Sequence, residues 1–329
     1  MIESPLVISV ETKALSKTFA GGVEAVRGID LTVEEGEIFG FLGPNGAGKT
    51  TTVRMLTTLM RPTGGIAKVA GFDLATESLQ IRFSIGVALQ DAGLDGMSTG
   101  REILVMQSRL HGIHGEPART RAAELLDMVG LTEAADRRVS TYSGGMKRRL
   151  DLAGALVHHP RVLFLDEPTA GLDPASRQAI WDEVGRINRD DGVTVFLTTQ
   201  YLEEADRLAQ RVAIIDHGLI VAEGSPASLK ASIGNEVVSV SVASGDIGAA
   251  TGKLKRIAGD APLQVEDGTI TMFLSDGSQA IAKVIRALDR AKITVESVSL
   301  ARPTLDEVFL KLTGSRLEGA VASESEEKP

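Results

Sequence analysis

Gly43-Pro44-Asn45-Gly46-Ala47-Gly48-Lys49-Thr50 is the stretch that decides the fold. Its spacing is G-x-x-x-x-G-K-[ST], and each fixed position has a physical reason. Glycines let backbone N–H groups converge on phosphate oxygens with no side chain in the way. A helix following the loop points its positive N-terminal end at the same anion. Lys49 supplies a point charge for β- and γ-phosphates, and Thr50 offers a hydroxyl to Mg²⁺. Thr51, the next residue, is counted with the same cradle. Ahead of the loop, Ile38-Phe39-Gly40-Phe41-Leu42 is a continuous apolar run, as expected for a strand buried in a parallel sheet. Strand, loop and helix together predict an α/β P-loop fold that binds ATP with Mg²⁺. A chance match in a chain this long arises on the order of one time in a hundred.

Composition narrows the classes around that loop. The chain has 329 residues, 43% of them hydrophobic, which favours two domains and a sizeable core. There are no cysteines, so disulfides, thiolate zinc sites and cysteine nucleophiles are excluded. A net charge of −9 opposes a role coating nucleic acid by phosphate neutralisation, and no nucleic-acid partner is expected. The single Trp181 and two tyrosines leave few platforms for base stacking. No run approaches the roughly 20 apolar residues that span a bilayer. Met1-Ile2-Glu3-Ser4-Pro5 has none of the marks of a secretory leader, so a cytosolic location is expected.

Working outward, residues 6 to 41 read mostly as strands, with turns at Gly21-Gly22 and Glu35-Gly36-Glu37. After the loop, Val53, Leu56 and Met60 recur at helical spacing, and Pro62 to Gly65 is expected to end that helix. A mainly helical stretch follows from about Thr99 to Val157. Within it Ala122, Leu125, Leu126 and Val129 share a face, and Gly130 stands at the expected stop. Val162–Leu165 and Val193–Leu197 read as buried strands. Asp216-His217-Gly218 reads as a hairpin turn. Composition shifts near Gly224 to Asn235. The order then becomes strand, helix, strand, strand, helix, strand, which predicts a small α+β, ferredoxin-like unit. The expected division is 6–230 for the ATPase domain, with a helical subdomain at about 91–157. An accessory domain follows at 235–314, then a disordered acidic tail at 315–329.

Two further segments bear on chemistry. Val162-Leu163-Phe164-Leu165-Asp166-Glu167 is an apolar strand ending in two carboxylates. Asp166 at the tip can hold Mg²⁺, and Glu167 is placed to orient and deprotonate an attacking water. Ser143-Gly144-Gly145 opens a helix, so it is a second helix terminus suited to an anion. The five histidines show no metal-ligand spacing. His158 and His159, before Pro160, are expected to cap helix carbonyls, and His111 and His114 are expected on the surface.

Thr141-Tyr142-Ser143-Gly144-Gly145-Met146-Lys147-Arg148-Arg149, shortly before the Asp166 strand, closely resembles the signature motif of ABC ATPases. The resemblance covers about residues 6 to 225. It implies that Ser143 and Gly145 contact the γ-phosphate of ATP bound to the opposite subunit. Two ATPs are then sandwiched in a head-to-tail homodimer. By the same resemblance Gln90 touches Mg²⁺ and water, Asp173 of Gly171-Leu172-Asp173 couples the two sites, and Phe19 stacks on adenine. A core phenylalanine is the competing reading of Phe19.

One position departs from the family. A histidine usually follows the Val193–Leu197 strand and contacts the γ-phosphate; here Gln200 occupies the place. An amide can donate a hydrogen bond to phosphate but carries no charge. Glutamine there resembles the branch typified by daunorubicin-resistance exporters. So does Pro303-Thr304-Leu305-Asp306-Glu307-Val308-Phe309-Leu310-Lys311-Leu312-Thr313-Gly314 near the end. That segment reads as a helix capped by Thr304, with Leu305, Val308, Phe309 and Leu312 on one stripe. The stripe packs on its own domain, on a second copy or on a membrane partner. The expected function is an ATP-hydrolysing subunit on the cytosolic face of the cell membrane. It would drive a separate permease that exports a hydrophobic compound. The alternatives are a non-transport ABC ATPase and a regulatory nucleotide-binding module, the latter supported by Gln200 alone.

Overall fold

The computed structural model describes residues 7–90, 93–233, 236–243, 245–259, 261–266, 268–274, 277–301 and 304–314. The leader reading at 1–5, Asp91, Pro303 and the tail at 315–329 lie outside them. The chain divides into two compact units between Glu223 and Gly224.

The first unit is built on a six-stranded sheet. Its order is Leu219–Gly224, Arg211–Asp216, Ile38–Leu42, Thr194–Thr199, Val162–Asp166 and Ile85–Ala88. Ile38–Leu42 runs parallel to both neighbours, and the Thr194, Val162 and Ile85 strands continue parallel. The three central runs are buried along their whole length, which is why they read as unbroken apolar segments. Alternate residues serve opposite faces. Phe39, Phe41, Phe164 and Phe196 fill one face, with ring centroids 5.4–5.6 Å apart around Phe196. That face also receives Val53 and Leu56 of the helix Lys49–Leu56, and an antiparallel sheet in the order Glu24–Glu34, Ile8–Thr18, Gly64–Val69, Phe72–Asp73. The other face presents Leu163, Leu165, Val195 and Leu197 to the helices Gly100–Leu110, Glu116–Met128 and Gly144–Ala155.

The parallel register brings the carboxyl ends of these strands to one edge. Leu42 pairs with Thr199, Asp166 with Thr198, and Ala88 with Leu165. Open α/β sheets bind ligands at that edge.

The helix after the loop is shorter than the periodicity predicts. It ends at Leu56, and Thr58 takes a left-handed φ of 64°. Thr57 Oγ1 donates back to Val53 O at 2.8 Å, and Thr58 Oγ1 accepts from Arg82 Nε at 2.7 Å. Met60 therefore packs against the same core from outside the helix.

The second unit carries a four-stranded antiparallel sheet in the order Leu263–Glu266, Thr269–Leu274, Glu236–Val242, Val295–Ala301. With strands numbered along the unit the order is 2-3-1-4, the ferredoxin-like arrangement. Ala250 and Leu254 of the helix Ile247–Ala258, and Val284 and Leu288 of Gly277–Arg290, pack on Val238, Val240, Ile270 and Met272. The final helix, Leu305–Thr313, packs on Pro226–Ile233 within the same unit. It buries Leu305, Val308, Phe309 and Leu310, whereas Leu312 is exposed. The stripe is thus one position different from the expected one. Among the described residues, no helix is long and apolar enough to cross a membrane.

Candidate functional site

Loop geometry follows from its glycines. Gly43 leaves the strand where an added Cβ would lie 2.3 Å from Ile215 O. Gly46 and Gly48 have φ of 81° and 112°, the left-handed region that side chains avoid. Gly48 also has no room for a Cβ, which would meet Ala25 O at 2.5 Å. The chain then enters the helix at Lys49 with its first N–H groups free to face an anion. The cavity beside the loop measures about 230 Å³ and is lined by Asn45, Gly46, Lys49, Thr50, Gln90 and Glu167 among others. Pro44, Gly48 and Thr51 complete the loop's share of its wall. Ala47 instead points into the core.

Lys49 is almost fully buried. Its ammonium donates to Gly43 O at 2.7 Å and Pro44 O at 3.1 Å, and pairs with Glu167 Oε1 at 3.2 Å. Burial pulls its pKa below the ordinary lysine value, and Glu167 opposes that shift.

Across the cavity, Asp166 ends its strand at the sheet edge. Asp166 Oδ1 accepts from Thr198 Oγ1 at 2.5 Å and from Thr50 Oγ1 at 3.3 Å. Its other oxygen, Oδ2, is buried and takes no hydrogen bond. A buried carboxylate oxygen without a partner is costly unless a cation or donor supplies one. Asp166, Thr50 and Gln90 all offer hard oxygen atoms, so the donor set fits a small divalent cation. Glu167 has φ 49°, an unusual left-handed value for a glutamate. Its N–H donates to Thr198 O at 3.1 Å, and Ala170 N–H donates to Glu167 O at 3.2 Å. This turn swings the Glu167 carboxylate back over the loop rather than onward along the strand.

The remaining predicted residues fall into two groups. Gln90 lines the cavity; Phe19, Ser143, Gly144, Gly145, Asp173 and Gln200 do not. Phe19 is 40% exposed, with Lys17 Nζ 5.6 Å from its ring centroid, so it is not a core residue. Ser143 caps its helix by accepting from Met146 N–H at 3.2 Å, and both Ser143 and Gly144 are exposed. Asp173 caps the helix Pro174–Asp191, accepting from Ser176 N–H at 2.9 Å and Ser176 Oγ at 2.6 Å. Those contacts hold its pKa below the usual carboxylate range. A Cβ on Gly145 would meet Ser176 Oγ at 2.6 Å, so that glycine lets the two capped helix ends pack together. Gln200 is partly buried just beyond Thr199, at the same sheet edge as the loop.

Several neighbours escaped the sequence reading. Thr198 bridges Asp166 and the Glu167 backbone. Glu204 is fully buried and accepts from Thr169 Oγ1 at 2.9 Å and Trp181 Nε1 at 2.8 Å. Burial raises its pKa above the ordinary glutamate value, against those hydrogen bonds. Buried Arg148 reaches three backbone carbonyls around the site. The sequence places Arg148 in the segment Thr141–Arg149 but does not say which carbonyls it meets. The histidine expectations also change. His158 Nε2 bonds to Ile85 O of a strand at 3.0 Å rather than to a helix end, and His111 stacks on His158 with centroids 3.8 Å apart.

Comparison with known proteins places this geometry. Residues 26–170 match the ABC transporter family, and residues 224–313 match the C-terminal domain of DrrA1-3-like ATP-binding proteins. The chain is 46% identical over 321 residues to a daunorubicin/doxorubicin resistance ATP-binding protein of Streptomyces peucetius, covering 97% of each chain. It is 45% identical over 311 residues to a doxorubicin resistance ATP-binding protein of Mycobacterium tuberculosis, covering 93% of this chain and 94% of the other. Among solved structures, it resembles a dimeric ATP-binding cassette in a post-hydrolysis state bound to ADP and Pi. The identity is 28% and the TM-score 0.61, covering 66% of this chain and 98% of that one. This chain therefore belongs to the ABC transporter ATP-binding family, in its daunorubicin-resistance branch.

Proposed function

We propose that this chain is the Mg²⁺-dependent ATPase subunit of an exporter, acting on the cytoplasmic side of the cell membrane with a separate permease. The family assignment supports ATP binding and hydrolysis coupled to transport. The observation that carries Mg²⁺ dependence is the buried, unpartnered Asp166 Oδ2 beside Thr50. Bound there by Asp166, Thr50 and Gln90, the ion would neutralise charge on the terminal phosphates. Lys49 would exchange Glu167 for the phosphates as its counter-charge. Glu167, released, would orient and deprotonate the attacking water. Phe19, half exposed, would offer its face to adenine. Ser143, Gly144 and Gly145 would complete the site from a second copy, with Asp173 coupling the two. A hydrophobic, drug-like cargo is inferred from the names of the relatives.

The test uses the purified full chain and phosphate release from ATP. EDTA is expected to stop the reaction. Glu167→Gln should lower the steady-state rate by about 100-fold or more while ATP binding persists, on the scale of a lost general base. Full turnover by that variant would remove Glu167 as the base.

A further inference from the structure

We infer that Arg148 is a positioning residue for hydrolysis: one guanidinium fixes the backbone on both sides of Glu167 and the residue before Gln90. The inference rests on the ATPase reading above. Arg148 lies on the helix that Ser143 caps, and it is 8% exposed. Its Nε donates to Pro168 O at 2.8 Å, its Nη2 to Asp166 O at 3.0 Å, and its Nη1 to Leu89 O. Asp151 Oδ2, 3.3 Å from Nη1, supplies the counter-charge.

Asp166 and Pro168 bracket Glu167, whose φ is 49°. A left-handed glutamate is strained and persists only where its surroundings over-determine it. A guanidinium is a planar fork with fixed N–H directions, so it holds three carbonyls in one mutual arrangement. Among the described residues, no other side-chain hydrogen bond joins Leu89 or Gln90 to the Glu167 turn. The helix that begins at Ser143 is thereby tied directly to the general base and to the Gln90 segment. A shift of about 1 Å in such a constellation can cost about 100-fold in rate.

Lysine at this position would keep the charge opposite Asp151 but lose the fork. Arg148→Lys is expected to lower kcat by about tenfold or more, with ATP affinity, titrated in EDTA, within threefold of the unmodified chain. Arg148→Gln combined with Asp151→Asn removes both charges together, so no buried ion is left unpaired, and should show the same split. A kcat within twofold of the unmodified chain in either folded variant overturns the inference. So does an equal loss of affinity and rate, or failure of both variants to fold, because Arg148 is then purely structural. An unmodified chain that releases no phosphate from ATP fails the ATPase reading instead.

Discussion

Gln200 stands where the resemblance to ABC ATPases leads one to expect a histidine, and the expected effect of that exchange has a bounded size. An amide can donate a hydrogen bond to phosphate, strengthened by the acceptor's charge and worth about 1.5–3 kcal/mol. It cannot supply the positive charge of an imidazolium. Gln200 is partly buried, follows Thr199 at the sheet edge and does not line the cavity. Gln200→Ala should therefore lower hydrolysis by at most about 100-fold, less than the loss at Glu167; an unchanged rate would mean no catalytic contact. At this scale the loop was readable because Gly46 and Gly48 need conformations that only glycine adopts freely. Arg148 and Thr198 were not readable. Their significance lies in which carbonyls and carboxylates they meet, and those partners are 18 and 32 residues away in the chain.

Elements were legible where one periodicity ruled and less so where distant residues meet. The buried strands at Ile38–Leu42 and Val162–Asp166 follow directly from their apolar runs. Helix Lys49–Leu56 stops early at a left-handed Thr58 whose hydroxyl accepts from Arg82, a contact between distant residues that apolar spacing does not report. The pairing of Ile85–Ala88 with its neighbours also creates a cavity of about 570 Å³ that includes Asp151, His111 and His158. Burial raises the Asp151 pKa to about 6, with Arg148 opposing, and lowers the His158 pKa to about 4. His111, His159 and Arg121 add to the lowering at His158, and the Ile85 carbonyl opposes it. These shifts act in opposite directions on stability. Between about pH 6.5 and 4 the unfolded chain binds a proton at histidine that folded His158 refuses, so acidification destabilises through His158. Over the range from pH 6 to about 4, folded Asp151 binds a proton that an unfolded aspartate does not, so acidification stabilises through Asp151. Asp151→Asn should therefore make the urea midpoint fall more steeply from pH 6.5 to 4.5 than in the unmodified chain. An identical slope in both proteins would contradict the buried-carboxylate account.

At the scale of the whole molecule, one chain carries a phosphate loop and a signature helix end that do not share a cavity. The capped terminus at Ser143 is exposed, so the proposed second copy would have access to it. With ATP, the Glu167→Gln variant should run as a dimer near twice the 34.7 kDa chain mass by light scattering, and return to monomer when nucleotide is removed. A monomer under both conditions would leave the loop without its proposed second half. The sequence by itself determined the P-loop class, the strand–loop–helix core and the order of elements in the C-terminal unit. These rest on local period and on residue types with restricted backbone conformations, both of which are written in the chain. Only the tertiary structure decided that Glu167 turns back onto Lys49, that Asp166 keeps one oxygen free, and that Arg148 braces both. Parallel register sets those positions, because it brings Leu42, Thr199, Asp166 and Ala88 to one edge from distant parts of the chain. Burial there makes each unpaired charge or oxygen expensive enough to dictate its partner.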